Sequence, residues 1–324
     1  MRRNKAIWLI GLILVAVAVL ITAGVSYRGH IDKLPFLAYG ESSIGLYAGN
    51  SPFGLTPAAQ VSNPILQADE VSDVSARQLS HPFMVNHHGL WYMFFKVTQA
   101  RSNQGDIGFA TSGNGYYWNY QRVVLDEFFD LSYPCVFDWK GEYYMIPQSN
   151  EVGVVYLYKA TSFPSEWTRL ATIIHQKGIA PTFFVNRDTC WLFLGSEDHS
   201  TLRLFFATDV VGPWTEHPKS PVISSDRHAA TPAGRVIEYK GDLYRFALDC
   251  EPVYGNCIRV FEIDELSGAS YRESEISLSP MLFGSGEGWN ADWIHHIDPH
   301  QLDDSTWTAC LDGGRNVLQI GLKY

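Results

Sequence analysis

The residues of this chain best suited to chemistry are carboxylates and imidazoles placed close to prolines. Asp298 precedes Pro299 and has His295, His296 and His300 around it, while His81 precedes Pro82. Asp130 lies just ahead of Tyr133-Pro134, and Glu197-Asp198-His199 follow an aromatic run. Two carboxyls can divide the work of glycoside cleavage, one protonating the leaving oxygen while the other attacks or activates water. Asp298 with Asp130, His81 or Glu197 is the candidate catalytic set. Each has a structural alternative: Glu197 and Asp198 as solvated turn carboxylates, Asp298 as an acid holding an x-Pro turn through backbone N–H groups. A His/Asp group could also bind a divalent metal. Adjacent His295 and His296 point to opposite faces of a strand, however, so at most one joins His300 and Asp298. No metal or cofactor is assigned. Arg227, His228 and Arg235 flank Thr231-Pro232, where an Arg can fork onto a carboxylate or phosphate, or pair with an acid such as Asp226. Trp289 and Asn290 suit the apolar face and hydroxyls of a sugar ring. Tyr133, His296 and His300 complete the candidate substrate-binding set.

These residues must be held by a repeat. The x-Pro phrase occurs at His81-Pro82, Tyr133-Pro134, Ala180-Pro181, Thr231-Pro232 and Asp298-Pro299. Its period is near 50 residues, with a longer last step, which is the scale of propeller blades. Each phrase leads through a few apolar residues and a turn into an aromatic strand, such as Trp91-Tyr92-Met93-Phe94 or Trp191-Leu192-Phe193. An Ala-Thr strand follows at Ala110, Ala160 and Ala207, then a Trp at Trp118, Trp167 and Trp214 and an outer strand. That makes about four strands per repeat, and in the fourth repeat Val260–Ile263 replaces the Ala-Thr element. The expected fold is all-β, a five-bladed β-propeller over residues 41–324. If the blades surround an axis, the residue before each Pro converges on one central mouth. The fifth repeat lacks strands of its own. Residues 43–49 resemble 106–111 and are expected to supply the missing strand, closing the ring and protecting its edges.

The 324 residues are 46% hydrophobic and 14% aromatic, enough for a large sheet core. A net charge of −10 argues against a nucleic-acid partner. Arg2, Arg3 and Lys5 precede an uncharged run from Ala6 to Val25, about one bilayer core as a helix. Residues 1–5 are therefore expected in the cytoplasm, 6–25 as a single-pass signal anchor, 26–40 as a stalk and the propeller outside the cell. A cleaved signal peptide is the alternative and exports the same domain. The five cysteines include no CxxC, so a zinc framework is not expected. Cys250 and Cys257 flank a turn and could form a local disulfide; Cys135, Cys190 and Cys310 read as buried thiols.

The repeat resembles the five-bladed propellers of glycoside hydrolases such as arabinanases, xylosidases and invertases. It is more similar still to the N-terminal domain of the glucosamine inositolphosphorylceramide transferase family, through Leu131–Ser149, Gly212–Val222, Thr231–Cys250 and His295–Leu302. The resemblance implies a carbohydrate or glycolipid partner, envelope glycan or glycolipid metabolism, and a possible partner glycosyltransferase. Glycosidase propellers typically carry an Asp-Pro acid in the first blade and further acids in the second and third. Here those positions are His81, Tyr133 and Ala180. This departure favours a binding or accessory propeller, with a divergent glycoside hydrolase or transglycosylase and a non-catalytic interaction scaffold as alternatives.

Overall fold

The computed structural model describes residues 40–316, together with Leu37–Ala38 and Gln319–Ile320, two short strands that pair with each other. Those two strands belong to a small unit of their own, and the propeller is Glu41–Arg315. The expected anchor at 6–25 lies outside the described residues, as does nearly all of the stalk. Among the described residues no helix is long and apolar enough to cross a membrane.

Five antiparallel sheets make the propeller. The first blade runs Ala76–His87, Leu90–Gln99, Gly105–Ser112 and Asn119–Leu125; the second runs Ser132–Trp139, Glu142–Gln148, Val155–Ser162 and Glu166–Ile174. The third runs Ile179–Asn186, Thr189–Gly195, Leu202–Ala207 and Thr215–Glu216. In the fourth, Asp242–Asp249, Cys257–Leu266 and Tyr271–Glu275 carry the shorter Thr231–Pro232, Ile237–Tyr239 and Leu282–Phe283. The fifth is assembled from both ends of the domain: Trp293–Asp303 and Thr306–Arg315, then Glu41–Gly49 and Thr56–Pro57. The last repeat thus does own two strands, and the N-terminal segment adds two more.

Because blades stack face to face, strands near the axis are buried on both sides. Ser132–Trp139 is buried over its first six residues, the continuous pattern expected of doubly covered strands rather than a simple alternation. Aromatic rings fill the space between blades, as where Phe137 stacks on Phe183 at 3.8 Å. The recurring tryptophans fasten turns. Trp118, Trp167 and Trp214 donate their indole N–H to the carbonyls of Gly115, Pro164 and Val210 at 3.1, 2.8 and 3.0 Å. All five cysteines are free and buried, so the suggested Cys250–Cys257 bridge is not made. Cys257 instead stands opposite Asp249 in the ladder, turned toward its carboxylate.

The x-Pro phrase has one meaning in three blades and another in two. The first three inner strands each carry an extra residue, between Ser80 and Phe83, Ser132 and Cys135, and Ile179 and Thr182. His81, Tyr133 and Ala180 sit in these bulges with φ of 53°, 47° and 48°. The missing Pro N–H falls where the ladder is already interrupted. Thr231-Pro232 and Asp298-Pro299 lie in regular pairing, opposite Leu248-Ala247 and Cys310-Ala309. The fifth-blade bulge is upstream, between Ile294 and His296. Asp298 therefore does not share the position of His81; the extra residue of the fifth blade is His295, without the positive φ of the other three.

Glu41–Gly49 pairs with Thr306–Arg315 along its whole length, from Glu41 opposite Arg315 to Gly49 opposite Trp307. Gly45 is required there, since a Cβ would fall 2.3 Å from the Trp289 ring. Removing residues 26–60 strips two of four strands from the last blade and exposes the edge of Thr306–Arg315. Calorimetry of the truncated protein should show no cooperative transition; a melt near that of the intact chain would refute this closure.

Candidate functional site

The bulged positions of the first, second and fifth blades meet around His81. His81 and His295 face each other there with near-parallel rings, centroids 6.4 Å apart. His295 stacks on Trp293 at 3.8 Å and meets Tyr254 at 4.8 Å; Tyr254 in turn meets His199 at 5.1 Å. Tyr254 is 44% exposed, yet burial by the surrounding walls pushes its hydroxyl pKa up, as in a concave site. His81 and His199 each commit Nδ1, to Ser80 and Thr231 at 3.2 and 3.1 Å, leaving Nε2 for a ligand. Arg227 stands at the edge, bonded to the Asp198 carbonyl at 2.7 Å and paired with Glu251 at 3.3 Å rather than with Asp226.

Tyr133 and His296 form the floor. The Tyr133 ring meets Phe83 at 4.9 Å and His296 at 5.1 Å. Its hydroxyl bonds Thr182 Oγ1 at 2.7 Å and accepts from the Gly234 N–H at 3.0 Å, joining three blades. Gly234 has φ of 150°, and a Cβ there would lie 1.8 Å from the Ile297 carbonyl oxygen, so only glycine lets the chain come this close. His296 is fully buried, and burial depresses its pKa to about 4 despite Asp312 and Asp298 nearby. The same cause takes His81 down to about 3, with Asp312 offsetting only part. Both rings are neutral at physiological pH.

The carboxylates of the centre serve the scaffold. Asp298 is fully buried. It accepts the Met84 N–H at 2.6 Å and His300 Nε2 at 2.9 Å, and Arg235 forks onto both its oxygens. Burial alone would raise its pKa; Arg235 and His300 more than offset this and hold it well below the usual carboxylate range. Asp312, which sequence reasoning missed, accepts the His81 N–H at 2.8 Å and the His295 N–H at 3.3 Å, with His295 Nδ1 at 3.8 Å. It too is fully buried and, against the burial effect, held ionised by its histidines. Its signal was legible: a lone acid ending the apolar run Ala309-Cys310-Leu311.

The structure separates the other expected site residues. His295 and His296 both reach His81, because the bulge breaks the alternation that should have parted them. His300 stays with Asp298, so the histidines divide between two acids instead of surrounding one. Asp130 is drawn aside by Lys96 at 2.9 Å. Glu197 accepts from Asn150 Nδ2 at 3.0 Å, and Asp198 holds its own turn through Ser196 and Ser200. His228 leans on buried Asp249 at 3.1 Å. Trp289 is half-buried and packs against Gly45, and Asn290, 2% exposed, donates to the Tyr47 hydroxyl at 3.2 Å; both pack where the N-terminal strand closes the last blade. Near Asp130, Asp106 is 1% exposed with one oxygen unpartnered. Burial, then the neighbouring Asp126 and Asp130, raise its pKa to about 6 although Gln99 donates to it.

The five sheets and their closure define an all-β five-bladed propeller. The solved catalytic domain of a GH62 α-L-arabinofuranosidase from Coprinopsis cinerea superposes with a TM-score of 0.56 at 14% identity, over 87% of this chain and 98% of that one. At that identity the likeness speaks for the fold. The chain belongs to the family described as glucosamine inositolphosphorylceramide transferase 1, N-terminal, which it matches over residues 38–314. It is 34% identical to glucosamine inositolphosphorylceramide transferase 1 of Arabidopsis thaliana over 301 residues, and 32% identical to that of Oryza sativa subsp. japonica over 300. The match takes in 85% of this chain but 39% and 40% of those relatives, so the chain spans about two fifths of their length.

Two stability predictions follow from the buried acids. Asp298→Ala strands Arg235 in the interior and should cost about 3–5 kcal/mol in denaturant unfolding; a loss under about 1 kcal/mol would remove the seam role given to Asp298. Below pH of about 6.5 an unfolded His takes up a proton, whereas His81 and His296 stay neutral to about 3 and about 4. The folded state thus binds fewer protons, and stability falls as pH drops; Asp298 and Asp312, depressed in the fold, lose their contribution further down. Asp106 has the opposite sign, because its raised pKa makes the ionised form a burden above about 6. Asp106→Asn should therefore raise the melting temperature by a few degrees at neutral pH, with the gain vanishing near pH 4. A gain independent of pH would contradict this.

Proposed function

We propose that the mouth binds the sugar portion of a glycan or glycolipid without cleaving it. The observation that carries this reading is the chemistry of the bulged positions: His81, Tyr133 and Ala180 carry no carboxyl. The carboxylates that do reach the centre, Asp298 and Asp312, are buried and held ionised, so neither is poised to protonate a leaving oxygen. What the mouth offers instead is recognition. Trp293 and Tyr254 can cover the apolar face of a sugar, while His81, His199 and Arg227 present neutral and charged donors to its hydroxyls.

The family relatives are named for transfer of glucosamine to an inositol-containing ceramide lipid, which supports a glycolipid head group as the occupant. The match takes in only about two fifths of those relatives' length, so this reading gives the propeller recognition of the glycan, with a glycosyltransferase as its proposed partner. Residues 6–25 as a single membrane span, N-terminus in the cytoplasm, would hold the mouth outside the cell near such lipids.

The test is a glycan and glycolipid array probed with the full-length chain in detergent, comparing wild type with His81→Ala and Tyr254→Ala. Ala is tolerable at the first bulge, since Ala180 holds the same conformation two blades on. Each substitution should weaken binding about tenfold, with no sugar released. Release that disappears in Asp298→Asn or Asp130→Asn would make the protein a hydrolase and overturn the reading.

A further inference from the structure

A cavity of about 570 Å³ opens where the last blade passes into the first, lined by none of the mouth residues. One wall is the segment after Thr56–Pro57, with Gln60, Ser62 and Ile65; the other is Tyr116, Tyr117 and Asn119, in and after the turn leading to the outer strand of the first blade. In an up-and-down blade that turn lies at the strand ends opposite the His81 bulge. We propose that this cavity is a binding site for a neutral oligosaccharide, independent of the mouth.

Three observations converge. The size lies within the roughly 300–1,000 Å³ of small-molecule sites. The lining contains no charged residue, although the chain carries a net charge of −10; a charged ligand would find no partner here. Its composition, two accessible tyrosines with an amide on each wall and a hydroxyl, suits a sugar ring, which presents an apolar C–H face and a rim of hydroxyls. Tyr117 is 62% exposed. The side chains of Gln60, Ser62 and Asn119 make no hydrogen bond within the protein among the described residues, so their donors and acceptors are uncommitted.

The walls are also fixed before any ligand arrives. Asn114 Oδ1 accepts the N–H groups of Tyr116 and Tyr117 at 3.0 and 3.2 Å. Asn63 bonds both backbone groups of Leu46 at 2.8 and 2.9 Å, anchoring the opposite segment to the fifth blade. The Tyr117 hydroxyl donates to the Gln60 carbonyl at 3.1 Å and ties one wall to the other. A preformed site loses little ordering entropy on binding.

Calorimetric titration of the full-length chain with cello-, manno- and xylo-oligosaccharides tests this directly. At least one should bind, with Tyr117→Ala and Gln60→Ala each weakening it about tenfold while Tyr254→Ala at the mouth leaves it unchanged. Both rim residues are exposed, so the variants should melt like wild type. Absence of binding by all three classes at on the order of 10 mM would overturn the proposal. So would binding lost in Tyr254→Ala but kept in Tyr117→Ala, an outcome that would leave the mouth reading intact.

Discussion

Two buried carboxylates hold the ring shut. Asp298 and Asp312 both belong to the last blade, and both reach across to backbone N–H groups of the first blade's inner strand, at Met84 and His81. Asp298 adds Arg235 of the fourth blade and His300 of its own. A buried carboxylate accepting bonds from three directions is a stiff joint, because every lone pair must be satisfied in the low-dielectric interior. Hydrophobic side chains of similar volume could stabilise such a place equally well. They could not choose a register.

The same commitment decides what the mouth can do. A carboxyl bolted to Arg235, or to the His81 and His295 backbone, is neither protonated nor free to approach a substrate. With Tyr133 buried at the centre and Ala180 contributing only a methyl group, imidazoles and aromatic rings meet there. Burial keeps His81 and His296 uncharged, so the centre presents no fixed imidazolium charge. That suits hydroxyl-rich ligands better than ionic ones.

Much of this architecture was legible because propeller blades repeat their chemistry. The aromatic strands, the Ala-Thr strands and the turn-fastening Trp118, Trp167 and Trp214 stand where the period places them. The strand 43–49 could be located by its likeness to 106–111. The site was less legible, since a one-residue bulge leaves no periodic trace. The same dipeptide, x-Pro, falls in a bulge at His81, Tyr133 and Ala180 and in a regular ladder at Thr231 and Asp298. Sequence counting therefore placed Asp298 at the mouth, where the structure puts His295. The packing of Trp289 and Asn290 against the N-terminal strand was hidden for a related reason: that contact joins residues far apart in the chain.

The bulge and the buried acids are parts of one solution. The Glu41–Gly49 strand meets its partner across nearly the whole chain, so nothing local tells it where to stop, and a slip of one residue would turn every side chain to the wrong face. Loop closure over such a separation adds its own entropic cost. A bulge turns successive backbone N–H groups out of the ladder, and at His81 and His295 those N–H groups point at a single acceptor, Asp312. Shift Thr306–Arg315 by one residue against the inner strand of the first or the last blade and the carboxylate is buried without these partners, a penalty of several kcal/mol. The bulges that aim His81 and His295 into the mouth are thus the ones that fix the register of the seam.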